Sequence, residues 1–547
     1  YDDIDHLGNK HLRLIHEQLR SKLSIGMARV EKHIKDKLAS ISIATANDEQ
    51  QAKIAKRTTV KSVVNTKAFQ LVVKNFFNSY QLTQFLDQQN PLSELTNKRR
   101  ISAMGDGGIS REDPNLNIRD VHYSHYGRIC PIETPEGMNI GLIMSLSAFT
   151  KVDDNGFLIS PYHKVVNGVV QKEVEWLTAL REDEYIIAEA ATKCNAEGKI
   201  MGDKVVARYR SSIEMYDPKK VDYIDISPRQ VVSIATGSIP FLEHDDTARA
   251  LMGANMQRQA VPLIHPYAPI IGTGTEYKIA HDSGVAVTAD VDGTVIAVDG
   301  TSIKIEPKDG GKNQFAKLVK YRKSNQDTCI NQTPIVKVGQ KVKAGETIAD
   351  GPAMYNGELA LGRNPLVAFM TWNGYNFEDA VIISERLVKD DVYTSICIEE
   401  YTIKCLRTKN GDEEITREVP NVSDESKRYL DENGIIMVGA EVKEGDILVG
   451  KVSPKGQTDY TAEEKLLQAI FGNKTRNFRD SSLKVPHGGE GIVAKIQRFS
   501  ISNNDELDDD VIELIKIYVI QKRKIQIGDK MSGRHGNKGI VSIVVPV

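Results

Sequence analysis

The first 80 residues carry apolar side chains at the spacing of an α-helix. Between residues 10 and 40 the apolar positions recur every three or four residues, and residues 60–80 repeat this periodicity. The apolar positions of the first stretch include Leu14, Ile15, Leu19, Leu23, Ile25 and Met27. The pattern therefore predicts that the chain begins with helices.

The pattern changes at about residue 151, where short β-like runs alternate with turn residues. Residues 156–159, 186–187 and 205–207 are runs of this kind, and they predict a small β-rich domain that ends near residue 240. Further strands, separated by glycines, are expected between residues 285 and 455. The fold class predicted for the whole chain is α+β and multidomain, with β-rich barrels or sandwiches after the helices.

A short pattern occurs twice, one hundred residues apart. Residues 338–348 read VGQKVKAGETI and residues 438–448 read VGAEVKEGDIL. β-Branched residues around paired glycines predict hairpins with tight turns. Similar hairpins occur in biotinyl and lipoyl carriers, so a swinging-arm carrier is one alternative function. Neither copy has a lysine at a hairpin tip between the neighbours that such carriers require.

Size and composition predict an ordinary globular protein of several domains. The 547 residues exceed what one hydrophobic core usually supports, and 40% of them are hydrophobic. A run of about eighteen apolar residues, which a membrane helix needs, does not occur, so no membrane association is expected. The five cysteines include no C-x-x-C pair, so neither zinc nor a disulfide framework is expected. A signal-peptide pattern is missing at the start, and the expected location is cytoplasmic.

The formal net charge is −3, which disfavours a protein that coats nucleic acid through a global positive field. Polyanion contact must therefore be local. The densest basic run, residues 521–538, contains six cationic side chains against Asp529. These six are Lys522, Arg523, Lys524, Lys530, Arg534 and Lys538. A solvated basic face and a polyanion site are both compatible with such a run.

Five segments combine glycines with dense polar residues, which is where function tends to separate from packing. They are residues 81–112, 128–141, 249–259, 372–380 and 528–539. In the first, Lys98, Arg99, Arg100 and Arg111 could neutralise phosphates beside glycines that permit close backbone approach. An exposed helix followed by a loop would also explain it.

The second segment is a rigid loop by its prolines and glycines, and the third and fourth segments allow two interpretations each. Arg249 and Arg258 in the third suit a phosphate or carboxylate ligand, but a structural ion pair would also satisfy them. Glu378 and Asp379 in the fourth could hold hydrated Mg²⁺ through a substrate or cap a helix that begins at Ala380. The fifth has the chemistry of a phosphate cradle without the residue order of a P-loop.

Together and in this order, the five segments resemble the β subunit of bacterial DNA-dependent RNA polymerase. The resemblance rests on GANMQRQAVP at 253–262, NGYNFED at 373–379 and GDKMSGRHGNKG at 528–539. It extends from the DDIDHLGN run at residues 2–9 to the end of the chain. It implies an internal piece of that subunit, with both ends cut and with the N-terminal lobe, protrusion and C-terminal clamp segment outside it.

The resemblance implies transcription: a nucleotidyltransferase that makes RNA on a DNA template from ribonucleoside triphosphates, with two Mg²⁺ ions. In this family the Mg²⁺-binding aspartates belong to the partner β′ subunit, so this chain is expected to hold no metal directly and to be inactive alone. The implied catalytic residues, near the RNA 3′ end and the α-phosphate, are Lys530 and Lys538. The implied substrate-binding residues are Arg249 at the triphosphate, Glu378 and Asp379 near the second metal, Arg534 and His535.

The same resemblance implies a rifamycin pocket beside the RNA path. Its members would be Gln84, Phe85, Asp87, Asn97, Arg100, Ser102, Met104, Glu136, Asn139 and Ile143. Rifamycin-sensitive relatives typically have histidine at the position of Asn97. Because an amide is shorter than an imidazole and contacts the drug differently, intrinsic rifamycin resistance is expected.

The resemblance also implies a domain order and a set of partners. Residues 1–150 would form the fork and rifamycin region, 151–240 a small β-rich external domain, and 401–485 the flap. Residues 241–400 and 486–547 would form the hybrid-binding domain, which contains a double-psi barrel. The implied partners are template DNA, the RNA transcript, the α, β′ and ω subunits and a σ factor, in the cytoplasm at the nucleoid. A non-catalytic nucleic-acid-binding scaffold of the same fold is the second alternative.

Overall fold

The computed structural model describes residues 3–44, 59–113, 115–455, 478–503, 505, 507, 508 and 510–547. The chain divides into two compact units, each assembled from three separate stretches. The first unit is Tyr1–Leu86, Thr96–Met256 and Arg534–Asn537. The second unit is Asp87–Leu95, Gln257–Gly533 and Lys538–Val547. Asp2 of the DDIDHLGN run and residues 456–477 of the expected flap lie outside the described residues.

The described residues form a mixed α/β structure in which strands dominate, as predicted. The α-helices are Ile15–Ala44, Val60–Val63, Lys67–Ser79, Pro91–Lys98, Ala179–Glu182, Ile234–Gly237, Thr247–Gln257, Glu276–Asp282 and Glu385–Lys389. Shorter 3-10 turns span Leu7–Asn9, Leu116–Arg119, Tyr123–His125, Pro218–Lys220, Pro228–Gln230, Leu242–His244 and Ile501–Asn503.

The predicted second helix, residues 60–80, is interrupted. It consists of Val60–Val63 and Lys67–Ser79, and the side chain of Asn65 accepts a hydrogen bond from the backbone N–H of Lys67 at 3.0 Å. A local bond of this kind competes with the helical backbone ladder, which explains the break. The second piece buries Val72 and Phe76.

A seven-stranded sheet dominates the β structure of the first unit. Its strands, in spatial order, are Lys151–Val152, Leu158–Val166, Tyr223–Asp225, Ile187–Ala188, Val205–Tyr209 and Ser212–Tyr216, with Val169–Thr178 also paired to Leu158–Val166. The three β-like runs that the sequence indicated after residue 151 overlap strands of this sheet. A smaller antiparallel pair joins Arg100–Ser102 to Ile143–Ser145.

The second unit contains several smaller sheets. The longest strands form a sheet in the order Gly411–Asp412, Ser395–Thr408, Val511–Arg523, Gly491–Ser500 and Glu441–Val442. A four-stranded sheet has the order Gln314–Lys317, Ser302–Pro307, Gly293–Val298 and Lys341–Val342. Three further sheets have three strands each. The first has the order Val287–Thr288, Thr347–Asp350 and Thr333–Pro334, and the second has the order Ala380–Ser384, Lys538–Val545 and Lys530–Ser532. The third has the order Glu414–Ile415, Lys451–Pro454 and Phe478–Asp480. Strand pairs are Arg322–Lys323 with Cys329–Ile330, Met354–Tyr355 with Glu358–Leu359, and Ile447–Val449 with Leu483–Lys484.

The repeated sequence pattern forms the same local structure twice. In both copies two glycines take positive φ, Gly339 and Gly345 at 86° and 83°, and Gly439 and Gly445 at 89° and 85°. The second glycine of each copy donates its backbone N–H to a residue that directly follows a strand elsewhere in the chain. The acceptors are the carbonyls of Ala289, at 2.7 Å, and Val485, at 3.0 Å. The repeat is therefore a structural duplication within the second unit.

The hairpins predicted for this repeat are wrong. In the first copy Lys341–Val342 pairs with Gly293–Val298, whereas Thr347–Asp350 pairs with Val287–Thr288 and Thr333–Pro334. The second copy behaves alike, with its two short strands in different sheets. The glycine turns thus connect one sheet to another, because the strands on the two sides of each turn pair with different partners.

Candidate functional site

The two predicted catalytic lysines lie on one exposed sheet face. Lys530 pairs with Ile540 and Ser532 pairs with Lys538 in the antiparallel register. Since side chains alternate along a strand, these four residues project from the same face, which we call the lysine face. The opposite face buries Val541 and packs Met531 and Val381 into a hydrophobic cluster. Packing of the buried face thus fixes the two strands that carry both lysines on the exposed face.

No carboxylate among the described residues forms an ion pair with Lys530 or Lys538. The lysines are diagonal neighbours in the register, at a backbone separation of about 7–8 Å, and both are exposed. Like charges at this spacing repel each other, so an anion that contacts both would relieve that repulsion. The face is therefore suited to a polyanion.

The three cations in the other half of the basic run all pair with acids of the chain. Lys522 and Lys524 reach the two oxygens of Asp391, at 2.8 and 3.5 Å, and Arg523 reaches Glu399 at 2.8 Å. The hydrogen bond from Lys522 is the largest cause that lowers the pKa of Asp391, to about 2. The cations at the end of the strand Val511–Arg523 thus fit the interpretation of the basic run as a solvated basic face. The lysine face differs, because its two lysines form no ion pair among the described residues.

Glu378 and Asp379 lie immediately before a strand of the same sheet. Both are exposed and take left-handed backbone conformations, with φ of 49° and 64°. A β-carbon at Gly539 would overlap the carbonyl oxygen of Asp379. Glycine at this position therefore permits the close approach of the two neighbouring backbone segments. Residues Ala380–Ser384 form a strand, so the interpretation of these acids as a helix cap is wrong.

Arg249 lies on the helix Thr247–Gln257 of the first unit, against the segment Arg534–Asn537. A β-carbon at Gly253 would overlap the carbonyl of Arg534, and one at Gly536 would lie 2.5 Å from the carbonyl oxygen of Arg249. Glycines therefore allow backbone-to-backbone contact here. Arg249 donates from Nη1 to the carbonyl of Gly536 at 3.2 Å and remains exposed, which leaves other guanidinium N–H groups for a ligand.

His535 is held by an acid of the same unit. Its Nδ1 lies 2.7 Å from Oδ2 of Asp245, which follows the 3-10 turn Leu242–His244. A carboxylate at this distance orients the ring. The structure thus brings Arg249, Arg534 and His535 together in the first unit, and Lys530, Lys538, Glu378 and Asp379 together in the second.

Nine of the ten predicted rifamycin-pocket residues belong to the first unit. The strand pair aligns Ser102 with Ile143, and Met104 donates its backbone N–H to Oγ of Ser102 at 3.2 Å. Phe85 is 89% exposed in a stretch without regular secondary structure. Asp87 is the exception, because it belongs to the second unit. These nine are Gln84, Phe85, Asn97, Arg100, Ser102, Met104, Glu136, Asn139 and Ile143.

Sequence reasoning missed a buried ion network in the first unit. Arg128, fully buried, lies 2.5 Å from Oε2 of Glu182, and Arg208 binds the other oxygen of Glu182. Arg208 also lies 3.7 Å from Asp225, whose other oxygen accepts a 2.6 Å hydrogen bond from Tyr126. These residues come from separate strands and turns, so no local pattern signals the network. We call these five residues the buried ion network.

The two acids of the network have opposite pKa shifts. Burial raises the pKa of Asp225 to about 6, against the opposing effect of Arg208. Burial also acts to raise the pKa of Glu182, but Arg128 and Arg208 outweigh it and the net direction is downward. Glu182 is therefore held ionised by the two arginines between which it lies.

Among the described residues, no group of three or more His, Cys, Asp or Glu side chains is arranged to hold a metal ion. Glu378 and Asp379 offer two carboxylates at one place. Mg²⁺ prefers six oxygen ligands in octahedral geometry, so these two acids fit only a part of its coordination shell. In the same part of the chain, every helix is too short or too polar to cross a membrane.

Comparison with known protein families gives three matches. Residues 288–547 match the model for RNA polymerase Rpb2 domain 6, and residues 84–152 match that for Rpb2 domain 3. Residues 162–227 match the RNA polymerase β subunit external 1 domain. These matches define the class to which the sheets and the lysine face belong, that of the RNA polymerase chains.

Three similar proteins identify the family within this class. The chain is similar to the DNA-directed RNA polymerase subunit β of Mycoplasmoides gallisepticum, 66% identical, and of Malacoplasma penetrans, 67% identical; each alignment covers 100% of this chain and 40% of the relative. Acetivibrio thermocellus has a β subunit 54% identical, with 43% of its length covered. The chain belongs to the family of bacterial RNA polymerase β subunits. It spans about two fifths of the length of the relatives that it matches.

Proposed function

We propose that this chain acts in DNA-templated RNA synthesis, as part of a polymerase whose β′ subunit supplies the Mg²⁺-binding aspartates. Lys530 and Lys538 contact the RNA 3′ region and the α-phosphate of the incoming ribonucleoside triphosphate. Fixed positive charge there stabilises the oxyanions that develop during phosphoryl transfer. The single observation that carries this proposal is the lysine face, where two lysines share an exposed surface and lack a carboxylate partner among the described residues.

The remaining predicted residues have supporting roles. Arg249 binds the triphosphate with the N–H groups that the carbonyl of Gly536 leaves available, and Arg534 and His535, which belong to the same unit, assist it. Glu378 and Asp379 would hold the second Mg²⁺ directly or through its water ligands, and the ion would supply Lewis-acid stabilisation of the phosphates. Because two exposed carboxylates fill only part of an Mg²⁺ shell, the other ligands would come from substrate, water and the partner subunit.

The test is single-nucleotide addition by assembled polymerase that carries Lys530→Ala, Lys538→Ala or both. The enzyme is loaded on a preformed RNA–DNA scaffold, and scaffold binding is measured in parallel. Each single change should slow addition on the order of 10²–10³-fold, as removal of one oxyanion-stabilising donor does elsewhere. Scaffold affinity should change little, because template and transcript retain their other contacts.

Lys522→Ala is the matched control, since this lysine is in the same basic run but pairs with Asp391. Its addition rate should stay within about twofold of the unsubstituted enzyme, as expected for loss of an exposed ion pair. Normal addition by the Lys530→Ala, Lys538→Ala double variant would refute the proposal. Normal addition would favour the non-catalytic scaffold in its place.

We also propose that the residues from Gln84 to Ile143 border the RNA path and form a rifamycin site that Asn97 weakens. The site is supported by the strand pair that aligns Ser102 with Ile143 and by the exposed Phe85. Asn97→His should make the assembled enzyme more sensitive to rifamycins in a transcription assay. Inhibition of the unsubstituted enzyme at low drug concentration, unchanged by Asn97→His, would contradict the expectation.

The finer architecture and the partners belong to the same proposal. A double-psi barrel in the hybrid-binding domain, split between residues 241–400 and 486–547, would frame the lysine face, and residues 401–485 would act as the flap. The α, β′ and ω subunits, a σ factor, template DNA and the transcript would be the partners, at the nucleoid. Family membership and the charge on the lysine face support these assignments.

A further inference from the structure

Asn90 performs two structural tasks with one side chain. It precedes the helix Pro91–Lys98, and its Oδ1 accepts the backbone N–H of Ser93 at 2.9 Å. In return its own N–H donates to Oγ of Ser93 at 3.0 Å. This is an N-terminal helix cap, with proline at the first helical position where its missing N–H costs nothing. Because Oδ1 accepts this hydrogen bond, the cap also assigns the oxygen and nitrogen positions of the Asn90 amide.

The nitrogen end of the same amide holds a distant loop. Nδ2 of Asn90 lies 3.1 Å from the carbonyl oxygen of Gln257, 3.2 Å from that of Arg258 and 2.9 Å from that of Ala260. Three acceptors thus converge on a group with two hydrogens. Asn90 is 2% exposed, and all these residues belong to the second unit.

This contact ties together two of the five polar segments. Asn90 lies within residues 81–112, whereas Gln257 and Arg258 lie within 249–259. No helix or strand holds residues 258–260, so the side chain of Asn90 substitutes for a backbone ladder there. A buried donor shared by three carbonyls restricts that loop, because loss of the bonds would take from the carbonyls of Arg258 and Ala260 the amide donor that they share.

We infer that Asn90 is a positioning residue for nucleotide binding, and that it acts by fixing the main chain at Arg258 so that the guanidinium meets a phosphate of the substrate. A half-buried arginine suits a phosphate oxygen pair, and its direction depends on the backbone from which it projects. The inference deepens the proposed function and rests on it, since it requires a triphosphate substrate.

The decisive variant is Asn90→Asp in the assembled polymerase. Aspartate caps a helix as well as asparagine does, so the Ser93 contact is retained. It replaces the donor with a second oxygen, which faces three carbonyl oxygens and repels them. The change therefore removes the loop contact and spares the cap. The matched control is Asn364→Asp, which removes one exposed 3.1 Å bond to the carbonyl of Ala268 in the same unit.

The readout is the KM and kcat of active-site-titrated enzyme for each of the four ribonucleoside triphosphates. A phosphate contact is common to all four, so Asn90→Asp should raise the four KM values by the same factor, on the order of tenfold. The kcat should change by less than about threefold, as expected when a contact equal in ground and transition states is lost. Asn364→Asp should change neither.

A general loss of structure gives a different result, because it lowers the active fraction and leaves the KM of the surviving enzyme unchanged. An unchanged KM, or a rise confined to one base, would overturn the inference. If Asn90→Asp does not assemble, Asn90→Ser provides the same test, since serine caps the helix but cannot reach the loop. Hydrogen exchange of residues 257–260 should be faster in either variant, and normal protection there would equally overturn it.

The inference and the proposed function fail separately. If the lysine variants stop nucleotide addition while Asn90→Asp keeps a normal KM, only the role of Asn90 is rejected. If the double lysine variant adds nucleotides normally, the proposed function is rejected whatever the KM of Asn90→Asp.

Discussion

The buried ion network and the lysine face both collect cationic side chains, but they differ in where the opposite charge comes from. In the network, Arg128 and Arg208 share Glu182, and Asp225 adds a second carboxylate. On the lysine face, neither Lys530 nor Lys538 has an acid partner among the described residues. A cluster that is neutral within the chain stabilises the fold, whereas a cluster that is not neutral is available to an external anion.

Burial explains why the arginines of the network have acid partners and the lysines of the lysine face do not. An arginine removed from water requires a carboxylate close by, because the desolvation of an unpaired ion costs several kcal/mol. An exposed lysine keeps its water shell, so the fold can leave it without a partner at little cost. Substitutions should therefore affect stability in the network and activity on the lysine face.

The largest loss of stability is expected for Glu182→Ala. It would leave two buried guanidinium groups without their shared acid and should lower the free energy of unfolding by about 3–5 kcal/mol. Trp176 lies in the same sheet, so its fluorescence during urea unfolding reports the change once Trp372 is replaced by phenylalanine. Glu385→Ala, which removes an exposed pair with Lys389, is the control and should cost less than about 0.5 kcal/mol.

The second-largest effect is a pH dependence of the free energy of unfolding, which Asp225 causes. Its pKa is about 6 in the folded chain and 3.8 as the ordinary value, so the folded state binds the proton more tightly. The stability it contributes is complete below pH 3.8 and is lost as the pH rises through about 6, a change of about 2–3 kcal/mol. Asp225→Asn should remove this slope. Identical slopes for both proteins, measured through Trp176, would contradict the expected burial of charge.

A smaller effect is expected for Gly536→Ala. The φ of 79° and the 2.5 Å approach of a β-carbon to the carbonyl of Arg249 both oppose a side chain. The left-handed conformation alone costs roughly 1–2 kcal/mol in an L-residue. Hydrogen exchange in the helix Thr247–Gln257 should become faster, while Gly310→Ala, at a position with open space and φ of 67°, should leave that helix unchanged.

The smallest effect on stability is expected for Lys530→Ala with Lys538→Ala. Removing two exposed cations that repel each other should leave the free energy of unfolding within about 0.5 kcal/mol, although we expect nucleotide addition to be lost. Denaturant unfolding of the double variant checks this. Destabilisation comparable to that of Glu182→Ala would mean that the lysine face serves the fold after all, and the contrast between the two regions would disappear.

Local patterns predicted the structure where neighbours along the chain decide it. The helix Ile15–Ala44 follows from apolar spacing, and the β-like run at residues 156–159 predicted the start of the strand Leu158–Val166. Site residues were predicted from their motifs, and the structure adds which of them share a unit.

Contacts between distant residues could not be predicted in this way. The hairpins expected at residues 338–348 did not form, because the strands on the two sides of the turn pair with strands elsewhere in the sequence. The three carbonyls that Asn90 binds are about 170 residues away, and Arg128 gave no sign of its burial. A side chain's type indicates what it can bind, but only the fold selects the partner from the many residues that qualify.

The division of the chain has a consequence for its synthesis on the ribosome. The polypeptide passes from one unit to the other after residues 86, 95, 256, 533 and 537, so neither unit is one continuous stretch. The helix Thr247–Gln257 is made long before Arg534–Asn537, the segment that covers Gly253. At about 5–20 residues per second, that helix waits on the order of tens of seconds for its packing partner. Substitutions at Gly253 should therefore reduce the yield of newly made subunit.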